Sequence, residues 1–384
     1  MEIENIKKVN SLPNLGALRG FLALTVVLLH IPLMTKNQHL PYFNDSAIFN
    51  KGYNAVWGFF TLSGFLIINL LFREKQQTGK VNVKNFYSRR ILRIYPVYYL
   101  VLLFGLAYYH FLLPKFGINY VTNYSPAEAL FWCIALLPNV FFSLFDPGGI
   151  LSVLWSIGIE EQFYLIIAPI SRFIKSNRFA LALGLFTILY FILYFNPYTD
   201  FFRKYRFMYF YFTLGGLASV LNNQKRIDFL LFSKFFRIVL YVIFFLYFFT
   251  NVFEFNNEVM KHLFSMILFA LFILNISTEK TYIIKNKFIN YLGDISYGIY
   301  MYHMIVLNFV IFISLRYELA TSFGTIGTVF FINLLTIGLT ILLAHLSFKY
   351  FEKSFVKLKN KYRSSKTEVS STGPLNLKTN HNNL

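Results

Sequence analysis

The chain has 384 residues, 56% of them hydrophobic and only 14% charged, with 36 Lys and Arg against 17 Asp and Glu for a net charge of +19. So apolar a composition excludes an ordinary soluble domain, and apolar runs of membrane-spanning length recur from residue 15 to about residue 348, leaving no room for a separate soluble domain. The single cysteine, Cys133, excludes an internal disulfide and any CxxC metal or redox site.

The first apolar run, residues 15–34, contains two ionisable side chains, Arg19 and His30. Eleven positions at ~100° each make about three turns, so both project from one helix face, roughly 16 Å apart along the axis. Hydrocarbon penalises such groups, which points to a functional site facing the protein interior; snorkelling toward the two interfaces is the alternative. The second run, residues 53–72, carries FFTLSGFL, in which Ser63 and Gly64 permit close helix approach. Residues 73–96 read as a cytosolic loop ending in Arg89, Arg90 and Arg93, with Pro96 expected near the start of a third run at 94–113. Arg90 and Arg93 share a face at i, i+3, and paired guanidinium forks suit phosphate; retention of topology or of anionic lipid is the bland reading.

Residues 127–145 are apolar but interrupted by Pro138 and followed by Asp146-Pro147-Gly148-Gly149. Further runs lie at 150–170, 179–196, 207–222, 235–252, 262–279, 293–315 and 324–347, which makes ten spans if 127–145 does not cross. Under that topology 27 Lys and Arg fall on the cytosolic side and 8 outside; if 127–145 crosses, 14 fall inside and 21 outside. The positive-inside rule therefore predicts an all-α polytopic membrane protein of about ten transmembrane helices with both termini cytosolic. Residues 127–145 become a re-entrant or interfacial segment on the outer side, placed to line or lid a site or simply to pack there. This loop asymmetry also accounts for the net charge without nucleic acid.

The fourth span holds LWSIGIEEQFY, with Trp155, the adjacent Glu160 and Glu161, and Gln162 at mid-membrane depth. Neighbours on a helix diverge by ~100°, so the two carboxylates cannot face one cavity. The ninth span holds SYGIYMYH, where Tyr300 and His303 present a hydroxyl and an imidazole to one side, or serve packing. Counting depth allows one wet cavity to hold His30, Glu160 and His303, with Arg19 below it and Arg90 and Arg93 at the inner mouth. Such an arrangement suits a long anionic donor arriving from the cytosol. In the outer loop 197–206, Arg203, Lys204 and Arg206 are placed to meet a phosphorylated or acidic glycan, or anionic lipid. Residues 1–356 are expected to form one membrane-embedded domain, and 357–384, rich in Lys, Ser and Asn, a basic disordered cytosolic tail. No cleavable signal peptide is expected.

Taken in order, Arg19 with His30, FFTLSGFL, RRILRIYP, LWSIGIEEQFY and SYGIYMYH resemble the acyltransferase 3 family of bacterial integral membrane O-acyltransferases over about residues 13–350. The resemblance implies a multi-pass enzyme of the plasma (inner) membrane that transfers an acyl group, often acetyl, from cytosolic acyl-CoA to hydroxyls of cell-surface sugars, polysaccharides or glycolipids. It puts the family's Arg and His pair on Arg19 and His30, its arginine motif on Arg90 and Arg93, and its acidic position on Glu160. Many relatives continue the ninth-span motif as His-x-Pro, whereas His303 precedes Met304 and Ile305. Some relatives carry an extra C-terminal hydrolase-like domain; without it this chain is expected to finish transfer itself or pass the acyl group to a separate partner.

The expected chemistry has His30 as general base on the acceptor hydroxyl, or alternatively as a group that is itself acylated and relays the acyl group. Glu160 is expected to orient or stabilise that imidazole, with Arg19, Ser63 or Tyr300 donating to the oxyanion and Trp155 and His303 supporting the site. Acetyl-CoA enters as donor substrate, with no bound cofactor and no metal. The competing reading is a proton-coupled small-molecule transporter, which also buries Arg, His and Glu but usually shows paired broken helices in two halves.

Overall fold

The structure of the protein, a computed structural model, describes residues 12–43, 45–118, 120–224, 233–278 and 281–359. Among these residues all regular structure is helical. Helices α1 (Leu15–Asn37), α2 (Gly52–Thr78) and α3 (Val83–Ala107) are followed by the short α4 (Pro126–Ile134) and α5 (Pro138–Phe145), then α6 (Leu154–Phe173) and α7 (Phe179–Phe195). The second half holds α8 (Tyr209–Asn223), α9 (Lys234–Phe249), α10 (Glu258–Ile276), α11 (Lys287–Asp294), α12 (Ser296–Arg316) and α13 (Leu319–Leu346).

Among the described residues eight helical stretches are long and apolar enough to cross a membrane, built on α1, α2, α3, α6, α7, α10, α12 and α13. Helices α8 and α9 stand where the sixth and seventh spans are expected, but have only 15 and 16 residues and flank the undescribed 225–232. At 1.5 Å per residue they reach about 22–24 Å, short of the ~30 Å hydrocarbon thickness. The chain is a polytopic helical membrane protein.

The interrupted segment is two short helices at an angle. Ser125 caps α4 reciprocally with Glu128, the chain turns through Leu136 at φ 59°, and Pro138 opens α5. Nine and eight residues rise only about 14 and 12 Å, so neither helix crosses.

One expectation needs correction. Residues 73–96 are not a loop: α2 continues to Thr78, and α3 starts at Val83, where the Asn82 side chain accepts the Asn85 N–H at 3.0 Å. The arginines therefore ride on α3, and Pro96 lies inside that helix rather than near its start. Charged residues do not break a helix, so the polar stretch simply extends α3 beyond its apolar part. At the start of the expected tail a helix spans Lys353–Lys359; residues 360–384 lie outside the described residues.

Helix α2 runs through the centre, most of its length buried. It can do so because α8 lies almost backbone to backbone against it: a Cβ on Gly64 would overlap the backbone of Phe212. Gly293 at the end of α11 meets the backbone of Gly16 on α1 in the same way, docking α11 beside the start of α1. Below them Lys75, 9% exposed, donates to the carbonyls of Ser171, Arg172 and Ile174 at 2.8, 2.9 and 2.5 Å, tying α2 to the C-terminus of α6.

Candidate functional site

A cavity of about 290 Å³ opens between α1, α2, α3, α6 and α12. Its apolar walls come from Phe59, Leu62, Leu66 and Ile157, while three guanidinium groups, Arg19, Arg90 and Arg93, face one carboxylate, Glu160. Their convergence follows from local periodicity: Arg90 and Arg93 sit one turn apart on α3, and Arg19 stands near the start of the neighbouring α1. Arg89, on another face, approaches Glu74 instead at 3.8 Å.

Among the described residues none of the three cavity arginines forms an ion pair with a carboxylate. Arg90 lies over the Tyr164 ring at 5.6 Å, and its Nε is buried without a hydrogen-bond partner. Burying a charged donor unpaired is expensive, and three guanidinium groups around one cavity are chemically suited to an anion.

Glu160 is occupied from within the protein. The Tyr164 hydroxyl donates to its Oε1 at 2.8 Å, and Tyr164 also contacts the Ser63 hydroxyl, so a buried chain links Ser63 on α2 to Glu160 on α6. Tyr164 is a member of this site that the sequence reading passed over, although its position four residues after Glu160 puts both on one face of α6. Glu161 points elsewhere, 6% exposed with Oε1 unpartnered, as the divergence of helix neighbours requires.

The structure separates Glu160 from the histidines. His30 lines a second, smaller cavity of about 40 Å³ together with Tyr53, Val56, Phe142, Trp155 and Tyr300. Its Nδ1 lies 2.8 Å from the Val26 carbonyl and 3.3 Å from Nε2 of the fully buried His303. Because a carbonyl only accepts, His30 Nδ1 carries the proton; His303 Nδ1 likewise donates to the Tyr300 carbonyl at 2.6 Å, leaving its Nε2 as an acceptor. In neutral His30 the lone pair is thus on Nε2, which has no hydrogen-bond partner among the described residues. The group orienting His30 is therefore a backbone carbonyl plus a second imidazole, in place of the expected carboxylate.

Tyr300 and Val56 line both cavities. The Tyr300 hydroxyl is held by Ser156 at 2.5 Å and donates to the Val153 carbonyl at 3.2 Å, making it the partition between the arginine cavity and His30. Trp155 and Phe142 close the far side, so the broken segment does contribute a wall. The arrangement sets three guanidinium groups in one cavity and an imidazole with a free lone pair in a second, with Tyr300 and Val56 between them.

A family profile described as an acyltransferase domain, acyltransferase 3, matches residues 12–345. The chain is 29% identical over 326 residues to a provisionally named acetyltransferase of Acidianus two-tailed virus, covering 82% of this chain and 88% of that protein. It is 27% identical over 389 residues to a provisionally named O-acetyltransferase of Staphylococcus aureus, an alignment covering 91% of this chain and 58% of the relative, so the chain spans little more than half of that protein's length. The peptidoglycan O-acetyltransferase OatA of Listeria monocytogenes is 31% identical over 167 residues, covering 40% of this chain and 26% of OatA. No solved structure matches the chain.

Proposed function

The chain belongs to the acyltransferase 3 family, and from that membership we propose that it carries an acetyl group from acetyl-CoA to a hydroxyl of a cell-surface glycan at the plasma membrane. The observation that carries this reading is the three-arginine cavity ending at a wall it shares with His30. The positive-inside distribution turns the arginine end toward the cytosol, where acyl-CoA is found.

The spacing fits the donor. Arg19 and His30 stand roughly 16 Å apart along α1. An extended chain advances about 3.3–3.6 Å for every three bonds, so the roughly thirteen bonds from phosphorus to sulfur in the pantetheine arm cover about 15 Å. Phosphates held by Arg19, Arg90 and Arg93 thus leave the thioester beside Tyr300 and Val56. Rotation of Tyr300 away from Ser156 opens the wall to the acceptor.

Transfer then proceeds at His30. Nε2 takes the hydroxyl proton as the acceptor oxygen attacks the thioester carbonyl, giving a tetrahedral oxyanion. Collapse breaks the C–S bond, the leaving sulfur takes the proton from the imidazolium, and the products are an O-acetyl ester and free coenzyme A. The proton on Nδ1 stays with Val26 throughout, holding the ring in one tautomer. Glu160, through Tyr164, offsets part of the positive charge of the three arginines. The name of the Listeria relative favours a cell-wall glycan as acceptor.

Membranes containing the protein, supplied with radiolabelled acetyl-CoA, should transfer label to a glycan fraction, and His30→Ala and Arg90→Ala at matched protein levels should abolish it. Wild-type membranes that transfer nothing from several acyl-CoA donors to several glycan preparations would refute the reading.

A further inference from the structure

The loop leading into α8 carries three cations, and the structure treats them differently. Arg203 pairs with Asp200, one helical turn before it, and Lys204 rests over its neighbour Tyr205 at 5.3 Å. Arg206 has no carboxylate and no side-chain hydrogen bond among the described residues. Its guanidinium lies over three rings at once, 4.6 Å from Phe142, 5.0 Å from Trp155 and 5.7 Å from Tyr53. All three rings line the His30 cavity.

This seat is built. Arg206 adopts φ 58°, a left-handed conformation costly for a residue with a Cβ and sustained only where surroundings over-determine it. The surroundings do so through two buried amides. Asn139 on α5, fully buried, donates to the Tyr205 carbonyl at 2.7 Å, and Ser143 donates to the Lys204 carbonyl at 3.1 Å. Gln162 on α6 donates to the Leu136 carbonyl at 2.5 Å and to Asn139 Oδ1 at 2.8 Å, while accepting from the Tyr209 hydroxyl at 2.9 Å. The broken segment, α6 and the loop are thereby locked together directly under Arg206. Stacking engages the flat faces of a guanidinium and leaves its in-plane N–H donors unused, and those donors suit the two oxygens of a carboxylate or phosphate.

We propose that Arg206 is the anion-binding subsite for the acceptor, taking a carboxylate or phosphate carried on the sugar beside the hydroxyl that enters the His30 cavity. The inference rests on the acyl-transfer reading for its purpose, but it is tested by binding alone. It explains why a cation is fixed over aromatic rings at the end of the molecule opposite the donor arginines. The enzyme would then select acidic acceptors from neutral ones of the same shape.

Trp155 beneath Arg206 supplies the signal. Full-length protein in lipid nanodiscs is saturated with coenzyme A, so that Arg19, Arg90 and Arg93 are occupied, and titrated with glucuronate, glucose 6-phosphate or glucose while Trp emission is followed. Trp155→Phe assigns the response. A saturable change is expected with an anionic sugar and none with glucose; a response to glucuronate alone or to glucose 6-phosphate alone identifies the carboxylate or phosphate source. Arg206→Gln should weaken half-saturation more than about tenfold, as loss of charge-assisted bonds requires, and Arg206→Lys should recover part of it. Equal response to glucose, no response to any sugar, or unchanged titration in folded Arg206→Gln and Arg206→Lys would overturn the proposal. Coenzyme A binding is measured calorimetrically on the same sample, so its absence removes the donor reading independently of the sugar result.

Discussion

Replacing His303 with Gln separates the roles of the two adjacent imidazoles. His30 Nδ1–H has two acceptors, the Val26 carbonyl at 2.8 Å and His303 Nε2 at 3.3 Å. The shorter bond, one turn back on the same helix, sets the tautomer by itself. His303 then adds one neutral hydrogen bond worth about 0.5–1.5 kcal/mol. At 1.36 kcal/mol per tenfold, that amounts to roughly 2- to 13-fold in rate. Loss of a general base costs about 10²–10⁴-fold. His303→Gln retains an amide oxygen near the Nε2 position and much of the volume of a fully buried side chain. It should therefore stay within about an order of magnitude of wild type, while His30→Gln falls at least about a hundredfold. The assay is the initial rate of label transfer from acetyl-CoA to glycan, at matched protein amounts and with thermal unfolding measured for each variant. A folded His303→Gln protein as inactive as His30→Gln would refute the assignment and move the basic nitrogen to His303.

The donor and packing readings are tested in parallel. Arg90→Lys keeps the charge but loses the planar fork whose Nε is now unpartnered, so the KM for acetyl-CoA should rise about tenfold or more with kcat less affected; an unchanged KM would remove Arg90 from the phosphate site. Gly64→Ala sets a methyl against the Phe212 backbone, which cannot step aside as a side chain would. Overpacking of this kind costs about 1–3 kcal/mol or more, and should show as a lowered unfolding midpoint in detergent; a midpoint equal to wild type would mean that α2 and α8 are not in this contact.

Much of the architecture was written in local chemistry. Hydropathy marks each spanning helix because hydrocarbon tolerates only internally bonded backbone, and Pro138 with the Asp146-Pro147-Gly148-Gly149 run marks the segment that does not cross. The three arginines that line the larger cavity stood out because cations in or beside an apolar span need a reason. What the one-dimensional pattern misassigned was the start of α3: an apolar scan ends where charge begins, but the Asn82 cap and good helix formers carry the helix onward to include Arg89, Arg90 and Arg93.

Pairing between helices was beyond that reach. Depth along the membrane allowed one cavity to hold His30, Glu160 and His303, yet depth says nothing about rotation or azimuth. The tertiary structure turned Glu160 toward Tyr164 and the arginines, set His303 against His30, and made Tyr300 the partition between their cavities. It also chose Arg206 from three neighbouring cations, through amides on α5 and α6 far away in the chain. A sequence encodes which face of each helix is costly to expose. Which partner relieves that cost is decided only when the helices pack, because the satisfying hydrogen bond or ring often comes from another helix, as His303 does for His30 and Ser63 for Tyr164.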